Sequence, residues 1–359
     1  MIQRLWNDDE SRKGEVLLRG FLRMLSLPYC GVVSLRNLLY DRHVIEQKRL
    51  SCPVVSVGNI TVGGTGKTPT VITIANLLKE QGYRPAVLSR GYGGHARGPV
   101  NVVSDGKHVL MGWQEAGDEP VLMANSLPGV PVLVGAKRFL TGKAAVEQFG
   151  ADILLLDDAF QHRQLFRDLD LVLLDWAHPL GNGFLLPRGP LREASSALLR
   201  AHLLLRTGVA EKCEALPANI ERPSFRGVHK PTGIVSEKTG KIAPLESLRG
   251  QKVMAFSGIG SPEGFRQSLA ALGAEVAAYR DFPDHHPYSV SDIAALRRLA
   301  AQSRASLLIT TEKDGVRLAD FPDFLAETSL LRISMEIKPL KPFTELLFSC
   351  LPGFPSMRN

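Results

Sequence analysis

The residues best placed to do chemistry form a glycine-rich loop with one lysine, directly after a β-branched run at residues 54–57. The loop consists of Gly58, Asn59, Ile60, Thr61, Val62, Gly63, Gly64, Thr65, Gly66, Lys67 and Thr68. A strand, loop and helix start of this kind direct backbone N–H groups, a helix N-terminus and one ammonium at a polyphosphate. The pattern therefore predicts that these residues bind a nucleoside triphosphate and that Lys67 contacts the phosphoryl group that is transferred.

The loop departs from the usual G-x-x-x-x-G-K-[ST] pattern at one position. Gly66, Lys67 and Thr68 match its last three positions, but Thr61 stands where the first glycine is expected. The alternative interpretation is a glycine-rich turn before a helix. A lysine and a threonine that open a helix, followed by Pro69 in its first turn, favour the phosphate-binding loop.

Two acids, Asp157 and Asp158, follow an apolar run at 153–156. Opposite a phosphate loop, an acid after a buried strand can hold Mg²⁺ together with the loop's threonine. We therefore predict Thr68 and Asp157 as metal ligands and Asp158 as a catalytic residue that orients the reacting groups. The alternative is a helix N-cap, and a helix there would place Asp158 and His162 on one face.

Further charged residues occupy predicted loops and could bind anions or move protons. Arginines at 90, 138, 188 and 192 could clamp a second anionic ligand, although each alone is typical of a surface residue. Asp118 could orient His285 as a general base. His285 lies in a second predicted domain, so it would reach the phosphates only if the domains closed over a cleft. His286 could take the same role, and the 310–314 segment could contact the base or only cap a helix.

The elements that must position these residues alternate between short apolar strands and helical segments. This order predicts an α/β fold with a doubly wound, mostly parallel sheet resembling that of phosphate-loop NTPases, in which ligands lie beyond the carboxyl ends of the strands. Proline and glycine become frequent near 213–245. We predict a helical segment at 1–40, a core domain at 41–212, a linker at 213–245 and a smaller α/β domain at 246–359.

The N-terminal segment is apolar and basic at once. At helical spacing Leu18, Phe21, Leu22 and Leu25 share one face, and the arginines at 12, 19 and 23 lie away from it. Internal arginines and a proline argue against a membrane-spanning helix. Either the helix lies in a membrane interface or it packs on the protein's own core. The net charge of +7 favours an anionic partner, and four cysteines without close spacing argue against zinc and disulfides.

Taken together, the motifs occur in a specific order over residues 15–320. They are GNITVGGTGKTP at 58–69, SRGY at 89–92, GDEP at 117–120, GAKR at 135–138, LDDAFQHR at 156–163 and DHH at 284–286. This ordered set resembles the tetraacyldisaccharide 4'-kinase family, the lipid A 4'-kinases of Gram-negative bacteria. Thr61 is the family's own variant of the loop.

The resemblance implies transfer of the γ-phosphoryl group of ATP, with Mg²⁺, to the 4'-hydroxyl of a tetraacylated glucosamine disaccharide 1-phosphate. It implies that Asp118 with His285 activates that hydroxyl. It also implies that the acceptor site is lined by Arg90, Tyr92, Arg138, His162, Arg192 and Glu193. Residues 1–40 would dock the enzyme, a monomer without nucleic-acid partners, on the cytoplasmic face of the inner membrane as a peripheral or monotopic protein.

Two rival functions explain part of the same pattern. A phosphate-loop ATPase or GTPase that switches conformation and docks protein partners would explain the loop and Asp157, but not Asp118, His285 or the N-terminal helix. A cytosolic small-molecule kinase or ligase is the second rival. Membrane association and the fate of the γ-phosphate distinguish these functions.

Overall fold

The computed structural model describes residues 6, 13–208 and 214–351. Its helices are α1 (Lys13–Asp41), α2 (Lys67–Glu80), α3 (Trp113–Ala116), α4 (Asp118–Ser126), α5 (Arg138–Phe149), α6 (Pro262–Ala271), α7 (Val290–Ser303), α8 (Glu312–Arg317), α9 (Pro322–Glu327) and α10 (Leu340–Ser349). Its strands are β1 (Val54–Asn59), β2 (Pro85–Ser89), β3 (Asn101–Ser104), β4 (Val132–Val134), β5 (Ile153–Asp157), β6 (Leu169–Asp175), β7 (Leu203–Thr207), β8 (Ser224–Ser236), β9 (Lys241–Ala243), β10 (Lys252–Ser257), β11 (Glu275–Asp281), β12 (Leu307–Thr311) and β13 (Thr328–Lys338). The predicted α/β fold with a mostly parallel sheet is confirmed.

The chain divides into two compact units that are discontinuous in sequence. The first is built from Met1–Arg90, Lys137–Val228 and Glu336–Asn359, and the second from Gly91–Ala136 and His229–Met335. These units differ from the predicted continuous domains, because the segment after β2 clusters with the later part of the chain. The predicted linker also differs, because β8 and β9 lie within it. Strand β8 pairs with β7, so β7 is not an edge strand of its sheet.

In the first unit the strands run parallel in the order β8-β7-β6-β1-β5-β2. Strands β1 and β5 are buried along their whole length, as expected for a parallel sheet covered on both faces. The register pairs Val57 of β1 with Asp157 of β5. The loop after β1 and the acids after β5 therefore leave the sheet side by side at its carboxyl edge.

In the second unit β11, β10, β12 and β13 pair in parallel, and β3 pairs with β4 in antiparallel register. Successive residues of β10 enter two different cores, because side chains alternate across a strand. Val253 packs in a cluster with Leu269 of α6, whereas Met254 packs in another with Leu296 of α7. Ser289 and Asp292 form a capping box at the start of α7.

Helix α1 presents apolar side chains to solvent and polar ones to the rest of the first unit. Its exposed large hydrophobic residues are Val16, Leu17, Leu18, Phe21, Met24, Leu25, Leu27, Val32, Leu35 and Leu38. Arg19 and Ser26 are buried, and Ser26 Oγ donates to the carbonyl of Leu185 over 3.1 Å. The alternative that the face of Leu18, Phe21 and Leu25 packs on the protein's own core is therefore not supported. Arg12 lies outside the described residues.

By length and composition, residues Val16–Asp41 would be apolar enough to cross a membrane. The sequence argument against a span, from Arg19, Arg23 and Pro28, is therefore not decisive on those criteria. All three residues lie inside one continuous helix. The opposite face of the helix makes polar contacts with the rest of the first unit.

Candidate active site

The glycine-rich loop ends at the N-terminus of a helix, as the sequence predicts. Helix α2 begins at Lys67, and its N-cap Gly66 has a left-handed backbone with φ of 82°. Gly63 also has positive φ, at 123°, where a Cβ would be strained. The loop therefore directs a helix N-terminus and the Lys67 side chain to one place, an arrangement that binds phosphate.

Neighbouring segments of the first unit brace the loop from both sides. Asn59 Nδ2 donates to Thr65 Oγ1 over 3.2 Å, and Thr207 Oγ1 of β7 donates to the Thr65 carbonyl over 2.9 Å. On the other side, the backbone N–H of Arg192 donates to the carbonyl of Ile60 over 2.8 Å. The loop conformation is thus set by fixed partners and is pre-organised for its ligand.

Asp157 and Asp158 lie at the carboxyl edge of the sheet, in different surroundings. Asp157 is 1% exposed and accepts a hydrogen bond of 3.1 Å from Ser89 Oγ. Asp158 has a left-handed backbone with φ of 46°, and its carboxylate accepts from Arg192 Nη1 over 2.8 and 3.0 Å. Lys67 Nζ lies 3.9 Å from the same carboxylate. The structure therefore brings Lys67, Asp158 and Arg192 together.

The helix considered for the segment after Asp157 does not form. Residues 158–164 make turns, so Asp158 and His162 are not neighbours on a helix face. The segment packs closely against Gly58, where an added Cβ would lie 2.7 Å from the backbone nitrogen of Phe160. The turn places the Asp158 carboxylate toward the phosphate loop instead.

Arg138 and His162 form a second polar group in the same unit. Burial lowers the pKa of Arg138 to about 10, with Asp157 opposing the change, so the guanidinium stays charged at neutral pH. Burial and three nearby arginines lower the pKa of His162 to about 4, so this ring is neutral there. Nε2 of His162 is buried and has no hydrogen-bond partner among the described residues. Arg90, which the resemblance also assigns to the acceptor site, is exposed.

Glu193 and Arg188, both predicted near an anionic acceptor, are buried beside α1. The carboxylate of Glu193 is fully buried and accepts from Asn37 Nδ2 over 2.7 Å and from Arg200 Nη2 over 2.8 Å. Arg188 is 7% exposed and lies over the ring of Phe184. These partners tie α1 to the segment that carries Arg192.

In the second unit, Asp118 and His285 form a close pair although 167 positions separate them. His285 Nδ1 lies 3.0 and 2.9 Å from the two oxygens of Asp118, and the carboxylate is 4% exposed. A carboxylate only accepts hydrogen bonds, so Nδ1 carries the proton and Nε2 presents a lone pair in the neutral ring. This arrangement is that of an oriented general base.

Local backbone geometry holds each partner of the pair. Asp118 is the first residue of α4, where the helix dipole stabilises a carboxylate, and Gly117 precedes it with φ of 90°. His285 itself has a left-handed backbone with φ of 59°, a strained state that proteins keep mainly at functional sites. The backbone N–H of His285 donates to the carbonyl of Gly258 over 3.2 Å.

The pair perturbs the pKa of both residues in the direction of an ion pair. The hydrogen bond to Asp118 raises the pKa of His285, and this effect exceeds the opposing effects of burial and of Lys313. Burial raises the pKa of Asp118, but its hydrogen bond to His285 and nearby cations outweigh burial and lower that pKa. Asp118 is therefore an anion whenever His285 accepts a proton.

Of the two histidines left open by the sequence, the structure pairs His285 with Asp118. His286 Nε2 instead contacts Asp292 over 3.1 Å, and its ring stacks on Phe282. Tyr92 is 72% exposed, and its ring centroid lies 6.0 Å from that of His285. Tyr92 therefore lies next to the pair.

Sequence reasoning missed two residues that contact this pair, Lys313 and Arg317. Lys313 Nζ lies 3.4 Å from His285 Nε2, and Arg317 Nε lies 3.6 Å from Asp118 Oδ2. Their spacing of four positions places both on one face of α8. The available signal was the polar run 310–314 at the end of an apolar strand, which the sequence alone could not distinguish from a helix cap.

The described residues contain no group of three or more His, Cys, Asp or Glu side chains able to hold a metal ion. A phosphate-loop site needs fewer protein ligands, because phosphate oxygens and water complete the octahedron around Mg²⁺. The hydroxyl of Thr68, in the first turn of α2, and the carboxylate of Asp157, at the end of β5, are hard oxygen donors. This donor set fits Mg²⁺.

Known proteins are similar to this chain along almost its whole length. The family model described as "Tetraacyldisaccharide-1-P 4'-kinase" matches residues 18–351. The chain belongs to this family. A tetraacyldisaccharide 4'-kinase of Syntrophus aciditrophicus is 49% identical over 97% of both chains. One of Anaeromyxobacter dehalogenans is 47% identical over 83% of this chain and 80% of its own.

A solved structure has the same fold. The crystal structure of LpxK from Aquifex aeolicus in complex with ATP superposes with a TM-score of 0.78 at 32% sequence identity. The match covers 93% of this chain and 99% of the other. The fold class and the family predicted from the sequence are thereby confirmed.

Proposed function

We propose that the protein transfers the γ-phosphoryl group of ATP to the 4'-hydroxyl of a tetraacyldisaccharide 1-phosphate, a step of lipid A biosynthesis that gives lipid IVA. The observation that carries this proposal is the pairing of His285 with Asp118 at 2.9 Å in a chain that also holds a lysine-bearing phosphate loop. A nucleotide switch needs the loop alone. Transfer to an alcohol also needs a base for the hydroxyl proton, and the pair supplies one.

The phosphate loop binds the triphosphate through the N-terminus of α2 and the ammonium of Lys67. In the structure that ammonium lies 3.9 Å from Asp158, which also accepts from Arg192. We infer that Lys67 contacts the β- and γ-phosphates when ATP is bound, and that Asp158 helps to position these cations around the transferred group. Catalysis of phosphoryl transfer depends mainly on such positioning and charge neutralisation.

Thr68 and Asp157 hold Mg²⁺ when it is bound. The ion neutralises charge on the phosphate oxygens, which is its usual part in phosphoryl transfer. Ser89 donates to one oxygen of Asp157 and fixes the orientation of the carboxylate. Burial of Asp157 in the first unit keeps this anion away from competing solvent.

The Asp118–His285 pair accepts the proton of the acceptor. As the 4'-oxygen forms its bond to the γ-phosphorus, its proton moves to Nε2 of His285, and the bond to the leaving β-phosphate oxygen of ATP breaks to give ADP. The imidazolium that forms is stabilised by Asp118 at 2.9 Å. His285 must be neutral beforehand, so transfer becomes faster as pH rises through the pKa of His285.

The acceptor's anionic and polar groups are bound by Arg90, Arg138 and Arg192, and His162 and Tyr92 are the further residues that we assign to the acceptor. Arg138 is charged and His162 is neutral near pH 7, so together they offer a strong donor and an uncharged ring to a phosphate or a sugar hydroxyl. Glu193 supports this site indirectly, through the segment it shares with Arg192.

The acceptor is a lipid, and α1 supplies the surface that meets it. Lifting acyl chains out of a bilayer costs about 0.8 kcal/mol per CH₂ group, so an enzyme for this substrate must work at the membrane. The outward face of α1 is apolar, whereas Ser26, Tyr29 and Asn37 hold its inward face through hydrogen bonds. We infer that α1 docks the enzyme, as a peripheral or monotopic monomer, on the cytoplasmic face of the inner membrane, where ATP is present.

Transfer of label from γ-labelled ATP to purified disaccharide lipid tests the function. The protein should label the lipid in the presence of Mg²⁺. Lys67→Ala and His285→Ala should each lower the rate about a hundredfold or more, since each removes a group that acts on the transferred phosphoryl or on the nucleophile. Label that appears only as free phosphate, with or without lipid, would reject the kinase and favour a nucleotide switch.

A further inference from the structure

Lys313 lies on the side of the His285 ring that faces away from Asp118, and the mechanism proposed above assigns it no role. Lys313 Nζ lies 3.4 Å from His285 Nε2, the nitrogen that must receive the hydroxyl proton. The Lys313 side chain is 19% exposed and also donates to Glu119 over 3.2 Å and to Asp284 over 3.4 Å. An ammonium thus stands beside the lone pair of the base.

The hydrogen-bonding capacity of these groups fixes the tautomer of the neutral ring. Nδ1–H of His285 donates to the Asp118 carboxylate, so in the neutral ring Nε2 accepts and can receive an N–H from Lys313. In the imidazolium, Nε2–H would point toward an ammonium, and the nearest carboxylate oxygen, on Asp284, is 3.7 Å away. The Lys313 ammonium therefore opposes protonation of Nε2.

Charges from every surrounding element act on this ring. Asp118, Glu119 and Asp284 are carboxylates, and Lys313 and Arg317 are the cations; Tyr92 is the remaining titratable neighbour. Burial opposes the charge of Lys313, but the carboxylates outweigh it and raise the pKa of Lys313, so it stays charged. Asp118 raises the pKa of His285 and Lys313 lowers it.

We propose that Lys313 is a positioning residue for the base: its ammonium opposes protonation of His285 before the acceptor binds and fixes the neutral ring with the proton on Nδ1 and the lone pair on Nε2, where the acceptor hydroxyl takes the place of the Lys313 N–H. This inference rests on the proposed function, in which His285 is the base. Asp118 favours the imidazolium, and Lys313 opposes that tendency. A general base is most effective when its pKa lies near the working pH.

The test compares three full-length variants. Lys313→Gln removes the charge but keeps a polar side chain of similar reach, Lys313→Arg keeps the charge, and Lys238→Gln removes the charge of an exposed lysine in the same unit. The His285 pKa and tautomer are measured by NMR of ¹⁵N-histidine-labelled enzyme without substrate. The pH profile of kcat/KM for lipid phosphorylation is then measured on the same proteins.

In Lys313→Gln the pKa of His285 should rise by about one pH unit, as removal of one partly screened neighbouring charge implies, and the acidic limb of kcat/KM should move by the same amount. Lys313→Arg and Lys238→Gln should keep the wild-type values. The proposal is overturned if folded Lys313→Gln, checked by its melting temperature, leaves both quantities unchanged. It is also overturned if the only change is in KM for ATP.

Failure of the inference can be separated from failure of the proposed function. If His285→Ala still phosphorylates the lipid at the wild-type rate, His285 is not the base and the proposed function is wrong in that part. If His285→Ala is inactive but the NMR pKa of His285 is the same in Lys313→Gln as in the wild type, the base is correct and only the role of Lys313 is rejected. The NMR measurement requires no activity, so it reports on Lys313 in either case.

Discussion

The outward face of α1 allows the membrane proposal to be tested by point substitutions rather than by truncation. Removing residues 1–40 would also expose the buried carboxylate of Glu193, so a loss of function would be ambiguous. Leu17, Phe21 and Met24 share one stripe of the helix and are 79%, 52% and 57% exposed. Replacing all three with Gln removes apolar surface without touching the helix's polar contacts.

The expected effect follows from the exposed fractions. Burying one such side chain completely is worth about 1.5–3 kcal/mol, so the exposed parts of the three together are worth about 4 kcal/mol in a membrane interface. At about 1.4 kcal/mol per factor of ten, the triple variant should bind lipid vesicles up to about a thousandfold more weakly. The change lies on the surface, so the melting temperature should stay nearly unchanged.

Co-sedimentation with phospholipid vesicles measures the effect. Salt of about 0.5 M screens the attraction between the basic protein and anionic lipid, so the apolar contribution is seen by itself. A matched control replaces Leu110, Ile242 and Val290 with Gln; these residues of the second unit are 56%, 54% and 76% exposed. Vesicle binding within threefold of wild type for the α1 variant, or an equal loss in the control, would refute the docking role of α1.

Two further predictions concern the phosphate loop and the base. Gly58→Ala should destabilise the protein by about 1–3 kcal/mol, because its Cβ would lie 2.7 Å from the backbone of Phe160. Gly64→Ala should not destabilise it, because nothing lies within 4 Å of the added Cβ. Thermal unfolding of the two variants measures the difference. Asp118→Asn should lower the maximal transfer rate about a hundredfold and move the acidic limb of the pH–rate profile to lower pH, because the hydrogen bond that raises the pKa of His285 is lost. A limb that stays in place would show that another group is titrating.

Much of the site was predictable from local sequence. The phosphate loop, the acids at the end of β5 and the capping box of α7 depend on residues a few positions apart, and each has a conformational preference that the residue types reveal. The family, the α/β fold and the enzyme class predicted from these motifs are confirmed. The roles assigned to the individual site residues stay predictions that the experiments above test.

The parts that differ from the prediction depend on contacts between distant segments. Asn37 and Arg200 hold the Glu193 carboxylate, and only packing against α1 reveals these partners. The units are discontinuous because Gly91–Ala136 clusters with His229–Met335, whereas composition shows only where the chain becomes rich in proline. Helix periodicity likewise predicts two faces for α1 without indicating which one turns outward.

The sequence by itself determined which chemical groups this protein has and which short elements carry them, because hydrophobic spacing, glycine placement and helix-start residues act over a few positions. The tertiary structure alone decided which groups meet. It placed Asp118 against His285 and set Lys313 on the ring's other nitrogen. Such meetings depend on how the strands order themselves in space and on the burial that this order produces, and neither quantity can be read from the distance between residues along the chain.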